Sequence, residues 1–173
     1  MTDKRIHYHT ILENINKGIL KKSKIVGTLT NNENTYNYLK NTVNVPVIYY
    51  KWDKKNHSRE VYDNYLASKI KQLNPDTIVL TGWKHIFTTN FINQFNFVIN
   101  IHPALPDSYI GLNCIKKALD EYKENKINET GVMVHYIIEE LDRGEVIDYI
   151  KIPIHPQDDL TILTERFREY EKI

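Results

Sequence analysis

Apolar positions along the chain recur with a helical period and a strand period in turn. Thr10-Ile-Leu-Glu13 has the form of a capping box, and Ile11, Ile15 and Ile19 repeat every four residues, so a short amphipathic helix is predicted to open near Thr10 and weaken at Gly18. Lys24 to Leu29 is short, apolar and β-branched and reads as a strand; the polar run Thr30 to Asn34 leads from it to a short helix around Tyr36 to Lys40. Val45 to Tyr50 reads as a second strand, with Pro46 at its start, where a missing N–H does least harm. Ser58 can cap a longer helix whose stripe is Val61, Tyr62, Tyr65, Leu66, Ile70 and Leu73. Thr77 to Thr81 and Phe97 to Ile101 are apolar runs a helix-length apart. Asn113 is placed to cap a helix reaching about Asn125, Val132 to Ile137 and Val146 to Ile154 read as further strands, and Asp158 or Asp159 opens a last helix running to Ile173.

Strands alternating with helices predict an α/β fold with a mostly parallel sheet. No repeat or linker interrupts the pattern, so residues 1–173 are expected to form a single domain. Hydrophobic residues at 41% and charged residues at 26% are globular proportions, which argues against a disordered, fibrous or membrane chain. With 23 Lys+Arg against 22 Asp+Glu, the surface is too balanced for the counterion release that nucleic-acid binding uses. The one cysteine, Cys114, cannot form an intrachain disulfide and fits a reducing compartment. The first residues are too polar for a signal peptide and no run approaches the roughly 18 apolar residues of a membrane span. A cytoplasmic monomer or homodimer, with no membrane or nucleic-acid partner, is the expectation.

Open α/β sheets bind ligands beyond the carboxyl ends of their strands, so polar residues there carry weight. Asn100 and His102 stand at such an end and, two apart on an extended chain, project to one face; Pro103 to Pro106 stiffens the exit. A second cluster, Glu139 to Gly144, is a turn after the strand holding His135. An amide, an imidazole and a carboxylate together can stabilise an oxyanion, move a proton and orient the imidazole. Seven histidines are present, and spacing alone leaves Asn-x-His open to a structural role. Cys114, at a predicted helix start, reads as a small core residue before it reads as a nucleophile. No G-x-G phosphate loop occurs, and no clustered ligands suggest a metal.

Two long segments, Asn100-Ile-His-Pro-Ala-Leu-Pro106 and Gly131 to Glu145, resemble the phosphoribosylglycinamide formyltransferase family, most closely its stand-alone eukaryotic form. The likeness extends through Ser58 to Asp63, Asn74-Pro-Asp76 and Thr81-Gly-Trp83 and on to the last helix, covering roughly Ile11 to the C-terminus. The resemblance implies a Rossmann-like formyltransferase fold and transfer of a formyl group from 10-formyltetrahydrofolate, as co-substrate, to the amine of glycinamide ribonucleotide in purine biosynthesis, without a metal. It implies that Asn100 polarises the formyl oxygen, that His102 is the general acid or base, and that Asp142 holds a proton-shuttling water and keeps the imidazole charged. Folate contacts are implied at Arg59, at Lys84, His85, Ile86 and Phe87, and along the turn Ile138, Glu139, Glu140, Leu141 and Asp142, where backbone groups read the pterin edge, with Trp83 and Ile137 expected to add apolar walls to that pocket. His85 stands where the family often has arginine. The phosphorylated amine is implied to meet Thr10, Pro103 and Glu171.

The departure is at the beginning, where the family has a buried strand and a Gly-rich turn that cradles the substrate phosphate. Here the chain reads Ile6-His-Tyr-His-Thr10, so the first strand and phosphate loop are expected to be missing and the chain shortened at both ends. The phosphate would be left to Lys4, Arg5, His7, His9 and free N–H groups near Thr10, with weak nucleotide binding expected. Two further readings stay open: a folate-dependent N-formyltransferase for another amine, such as an amino sugar nucleotide, and a degenerate, non-catalytic homologue.

Overall fold

The structure is a computed structural model that describes residues 6–83 and 85–172, the side chains of Ile6 and His7 excepted. It divides into two compact units, Met1–Thr77 with Phe87–Asn96, and Ile78–Ile86 with Phe97–Ile173.

In the first unit, α1 (Ile6–Asn16) begins a turn earlier than the capping box predicts. Tyr8, Ile11, Leu12 and Ile15 are all partly buried, so the stripe already includes Tyr8, and Gly18, at φ 72°, follows the helix end and leaves Ile19 68% exposed. Thr10 is therefore mid-helix, where its N–H turns to a carbonyl four residues back. The expected anion-binding N–H groups at Thr10 are thus corrected by the helix start, while Lys4 and Arg5 lie outside the described residues. β1 (Thr28–Thr30) and β2 (Val47–Tyr49) pair in parallel from Thr28↔Val47 to Thr30↔Tyr49, joined by α2 (Glu33–Thr42). Asn32 caps α2 through Thr35 N–H at 2.9 Å. α3 (Arg59–Lys71) is capped by Ser58 as expected and buries Tyr62, Asp63, Leu66, Ala67 and Ile70. Val61 and Tyr65, predicted on its stripe, are half exposed. The short α4 (Thr89–Ile92) is capped by Thr88.

The second unit carries a four-stranded sheet in the order β3 (Ile78–Thr81), β4 (Val98–His102), β5 (Glu129–Tyr136), β6 (Val146–Pro153). β3 and β4 run parallel, but β4–β5 and β5–β6 are antiparallel, so the sheet is mixed. For β5–β6 the reason is length: the turn over 137–145 is shorter than the dozen or more residues of a parallel crossover. α5 (Cys114–Lys123) and α6 (Leu160–Tyr170) bury Ala118, Leu119, Leu163 and Phe167 against Val132, Ile152 and Ile154. Asn113 precedes α5 as expected but stands at φ 62° without a side-chain capping bond. Asp159 does cap α6, accepting from Ile162 N–H at 2.8 Å.

Asp158, buried just before that cap, accepts the guanidinium of Arg166 on both oxygens and the His155 N–H at 2.8 Å. The Arg166 bond, above all, holds its carboxyl below the ordinary range. A carboxyl depressed in the folded state contributes stability that is complete above the unfolded carboxylate range, about pH 4, and is lost as pH falls through the folded value. Asp158→Asn should therefore lower stability near neutral pH and flatten its decline on acidification, as read by urea unfolding at a series of pH values.

Candidate active site

The site is built in the second unit from β4, β5 and the two loops that follow them. Asn100 lies directly opposite His135 in the antiparallel register, and residues opposite one another share a face. His102, two residues on, shares it too. Ile101 points the other way, toward the core packed by α5 and α6. A register shift between Val134 and His135 marks an irregularity of the β5–β6 ladder at this point, and such bulges re-aim a side chain.

The turn over 137–145 brings Asp142 back to these residues. Asp142 adopts φ 52°, and its neighbour Gly144 is buried so tightly that a Cβ would overlap the Tyr136 carbonyl. The Asp142 carboxylate then meets three groups: Oδ2 accepts the Gly111 N–H at 2.8 Å and lies 3.5 Å from His102 Nδ1, and Oδ1 lies 3.7 Å from His135 Nε2. Both imidazoles and the carboxylate side chain are buried.

Hydrogen-bond partners settle the tautomers. His135 Nδ1 lies 2.9 Å from the Tyr136 carbonyl, which only accepts, so Nδ1 carries the proton. Burial, first of all, pushes His135 toward its neutral form, opposed by the Tyr136 carbonyl and Asp142 and reinforced by His102. Its Nε2 then accepts from Asn100 Nδ2 at 3.3 Å. That contact fixes the amide orientation and leaves a second N–H on the same nitrogen. His102 Nε2 donates to the Tyr109 carbonyl at 2.8 Å, and its Nδ1 faces Asp142. The Cys114 thiol donates to the Gly111 carbonyl at 3.1 Å and is pushed up chiefly by burial, which makes it a core thiol.

A family model described as "Formyl transferase" matches residues 2–173. The chain belongs to the formyl transferase family. It is 43% identical over 130 residues to a phosphoribosylglycinamide formyltransferase of Dictyostelium discoideum, covering 71% of this chain and 63% of that protein. It is 36% identical over 115 residues to one of Escherichia coli, covering 66% and 52%. The matched segments thus span between about half and two thirds of these curated relatives. Among solved structures, a phosphoribosylglycinamide formyltransferase from Coxiella burnetii, in complex with CHES, superposes with a TM-score of 0.84 at 27% identity, over 97% of this chain and 77% of that one. One from Bacillus halodurans has the same fold, with a TM-score of 0.82 at 23% identity.

Within this formyl transferase chain, Asn100, His102 and Asp142 are brought together, and Pro103 opens the loop that leaves His102, partly buried. Trp83 and His85, after β3, lie edge to face at 5.9 Å, and Ile86 is 56% exposed; Lys84 lies outside the described residues. Ile137 is partly buried and its N–H donates to the Val98 carbonyl at 2.8 Å, whereas Ile138, Glu139, Glu140 and Leu141 are exposed along the turn. Arg59 and Phe87 belong to the first unit. There the Arg59 guanidinium lies over the rings of Trp52, Tyr62 and Phe87 and 3.2 Å from the Asp63 carboxylate, while Phe87 is buried and stacks on Phe91 at 3.9 Å. Glu171 ends α6, partly buried, with its carboxyl raised by burial and pulled back by Arg168. The sequence reading named His135 without giving it a role and did not single out Tyr109. A polar ring inside Val132-Met-Val-His-Tyr was the available clue to the first, because a buried histidine must find partners.

Gly144→Ala tests the turn. The added Cβ drives the Tyr136 carbonyl away from its site, and that carbonyl also holds His135, so a destabilisation above about 2 kcal/mol is expected in chemical denaturation.

Proposed function

We propose that this chain transfers a formyl group from 10-formyltetrahydrofolate to the primary amine of glycinamide ribonucleotide; the relatives' names supply formyl transfer to phosphoribosylglycinamide, and the folate donor is part of this reading. The observation that carries the reading is the convergence of Asn100, His102 and Asp142 on one sheet face, with His135 orienting the amide. The two compact units, matched by one family model, are read as one formyltransferase domain.

In this reading the amine nitrogen attacks the formyl carbon, and the carbonyl electron pair moves onto oxygen. The Asn100 N–H not engaged by His135 meets that oxygen where charge develops, a preorganised donor worth about 10² to 10³ in rate. His102 has an acceptor against each ring nitrogen, the Tyr109 carbonyl and the Asp142 carboxylate, and a ring protonated on both satisfies both. In that form it sets positive charge beside the oxyanion and supplies a proton to the departing donor nitrogen. The proton shed by the attacking amine replaces it, by way of water held at Asp142, so none is gained or lost over a turnover. The exposed turn over 138–141 and the partly apolar Trp83 and Ile86 are assigned to the folate, and Pro103 and Glu171 to the nucleotide.

The test is a coupled assay of donor conversion with glycinamide ribonucleotide as acceptor. His102→Asn should lower kcat by about 10² to 10⁴ and Asn100→Ala by about 10² to 10³, with KM changed far less. Equal turnover by parent and variants, or conversion that starts only with a different amine, would overturn the reading.

A further inference from the structure

The loop over 103–113 holds His102 with its backbone. The Tyr109 carbonyl accepts from His102 Nε2 at 2.8 Å, and the Tyr109 hydroxyl donates to Glu121 Oε2 on α5 at 2.7 Å. The ring of Tyr109 packs against the core that α5 and α6 share. Burial, with the Glu121 hydrogen bond and charge, pushes that hydroxyl above the ordinary phenol range, so it stays a donor. The loop has left-handed residues at Asp107, Gly111 and Asn113, with φ of 60°, 76° and 62°. Its path therefore depends on tethers, and Lys117 Nζ on the Ile110 carbonyl at 3.2 Å supplies another.

The geometry points to Tyr109 as a positioning residue: its hydroxyl, anchored on Glu121, sets where the carbonyl stands that keeps the proton on His102 Nε2. The inference rests on the formyl-transfer reading for its effect on rate, but not for its effect on the ring. A carbonyl accepts only, so while it stays in place Nε2 must carry hydrogen, and the ring's exchange of protons is steered to the nitrogen facing Asp142. If the tether is cut the carbonyl drifts, and once the ring has given up one proton either nitrogen can hold the one that remains.

The experiment compares Tyr109→Phe, Glu121→Ala and Glu121→Gln with the parent chain. Two readouts are taken: steady-state kinetics, and nitrogen-15 spectra of the imidazoles with His102 assigned by its substitution. Tyr109→Phe and Glu121→Ala should mix the His102 tautomers and lower kcat about tenfold, with KM for either substrate within about twofold of the parent. Glu121→Gln keeps an acceptor for the phenol and should restore the parent spectrum and rate, which a mere packing role would not require. Parent-like spectra in both tether-cutting variants, or failure of Glu121→Gln to restore them, would overturn the inference. A parent that transfers no formyl group while its variants still mix tautomers would remove the functional reading and leave the positioning of His102 supported.

Discussion

Everything at the site depends on one buried carboxylate being shared. Asp142 is reached by the Gly111 N–H, by His102 and by His135, and those three groups belong to the loop after β4, to β4 itself and to β5. A buried carboxylate with too few donors is costly, so the loop that carries Gly111 and the strand that carries His102 are constrained to close on it together, while the bare Nε2 of His135 stands off at 3.7 Å. The left-handed backbone at Asp142 and the close seat of Gly144 on the Tyr136 carbonyl are the local cost of bringing the turn back that far.

The sharing has a direction. His135 gives its one proton to the chain through the Tyr136 carbonyl, and its other nitrogen therefore receives the Asn100 amide. Asn100 is oriented by a neutral ring, while His102 stands between two acceptors. Two histidines on one sheet face, with ring centroids 6.1 Å apart, thus take opposite hydrogen-bonding characters from their surroundings. An amide donor and a proton carrier are what acyl transfer to an amine asks of a site.

The elements were legible wherever local pattern and tertiary packing agreed. Ser58 and Asp159 cap the helices they were expected to cap, and His102 ends its strand as expected, whereas Asn100 stands in the middle of the five-residue β4, on the same face. Thr10 misled because a capping box competes with a helical stripe that already includes Tyr8, and packing decided for the stripe. The antiparallel character of β5 and β6 was hidden because apolar runs do not encode direction. His135 was noted only as a marker of its strand and given no role, for a related reason: its importance lies in being opposite Asn100, and register across 35 residues is set by the sheet and not by any local signal. Arg59 was named only through the resemblance, as a folate contact, and its seat over Trp52, Tyr62 and Phe87 is a tertiary fact.

The most direct measurement of the account is the protonation of His135 in the folded chain near neutral pH, read from its nitrogen-15 and proton correlations. The Tyr136 carbonyl, the Asn100 amide and burial together predict a neutral ring with the proton on Nδ1 and a bare Nε2, because burial disfavours the charged form more than Asp142 and the Tyr136 carbonyl favour it. A ring protonated on Nε2, alone or on both nitrogens, would turn the Asn100 amide around and contradict the arrangement from which the proposed chemistry is built.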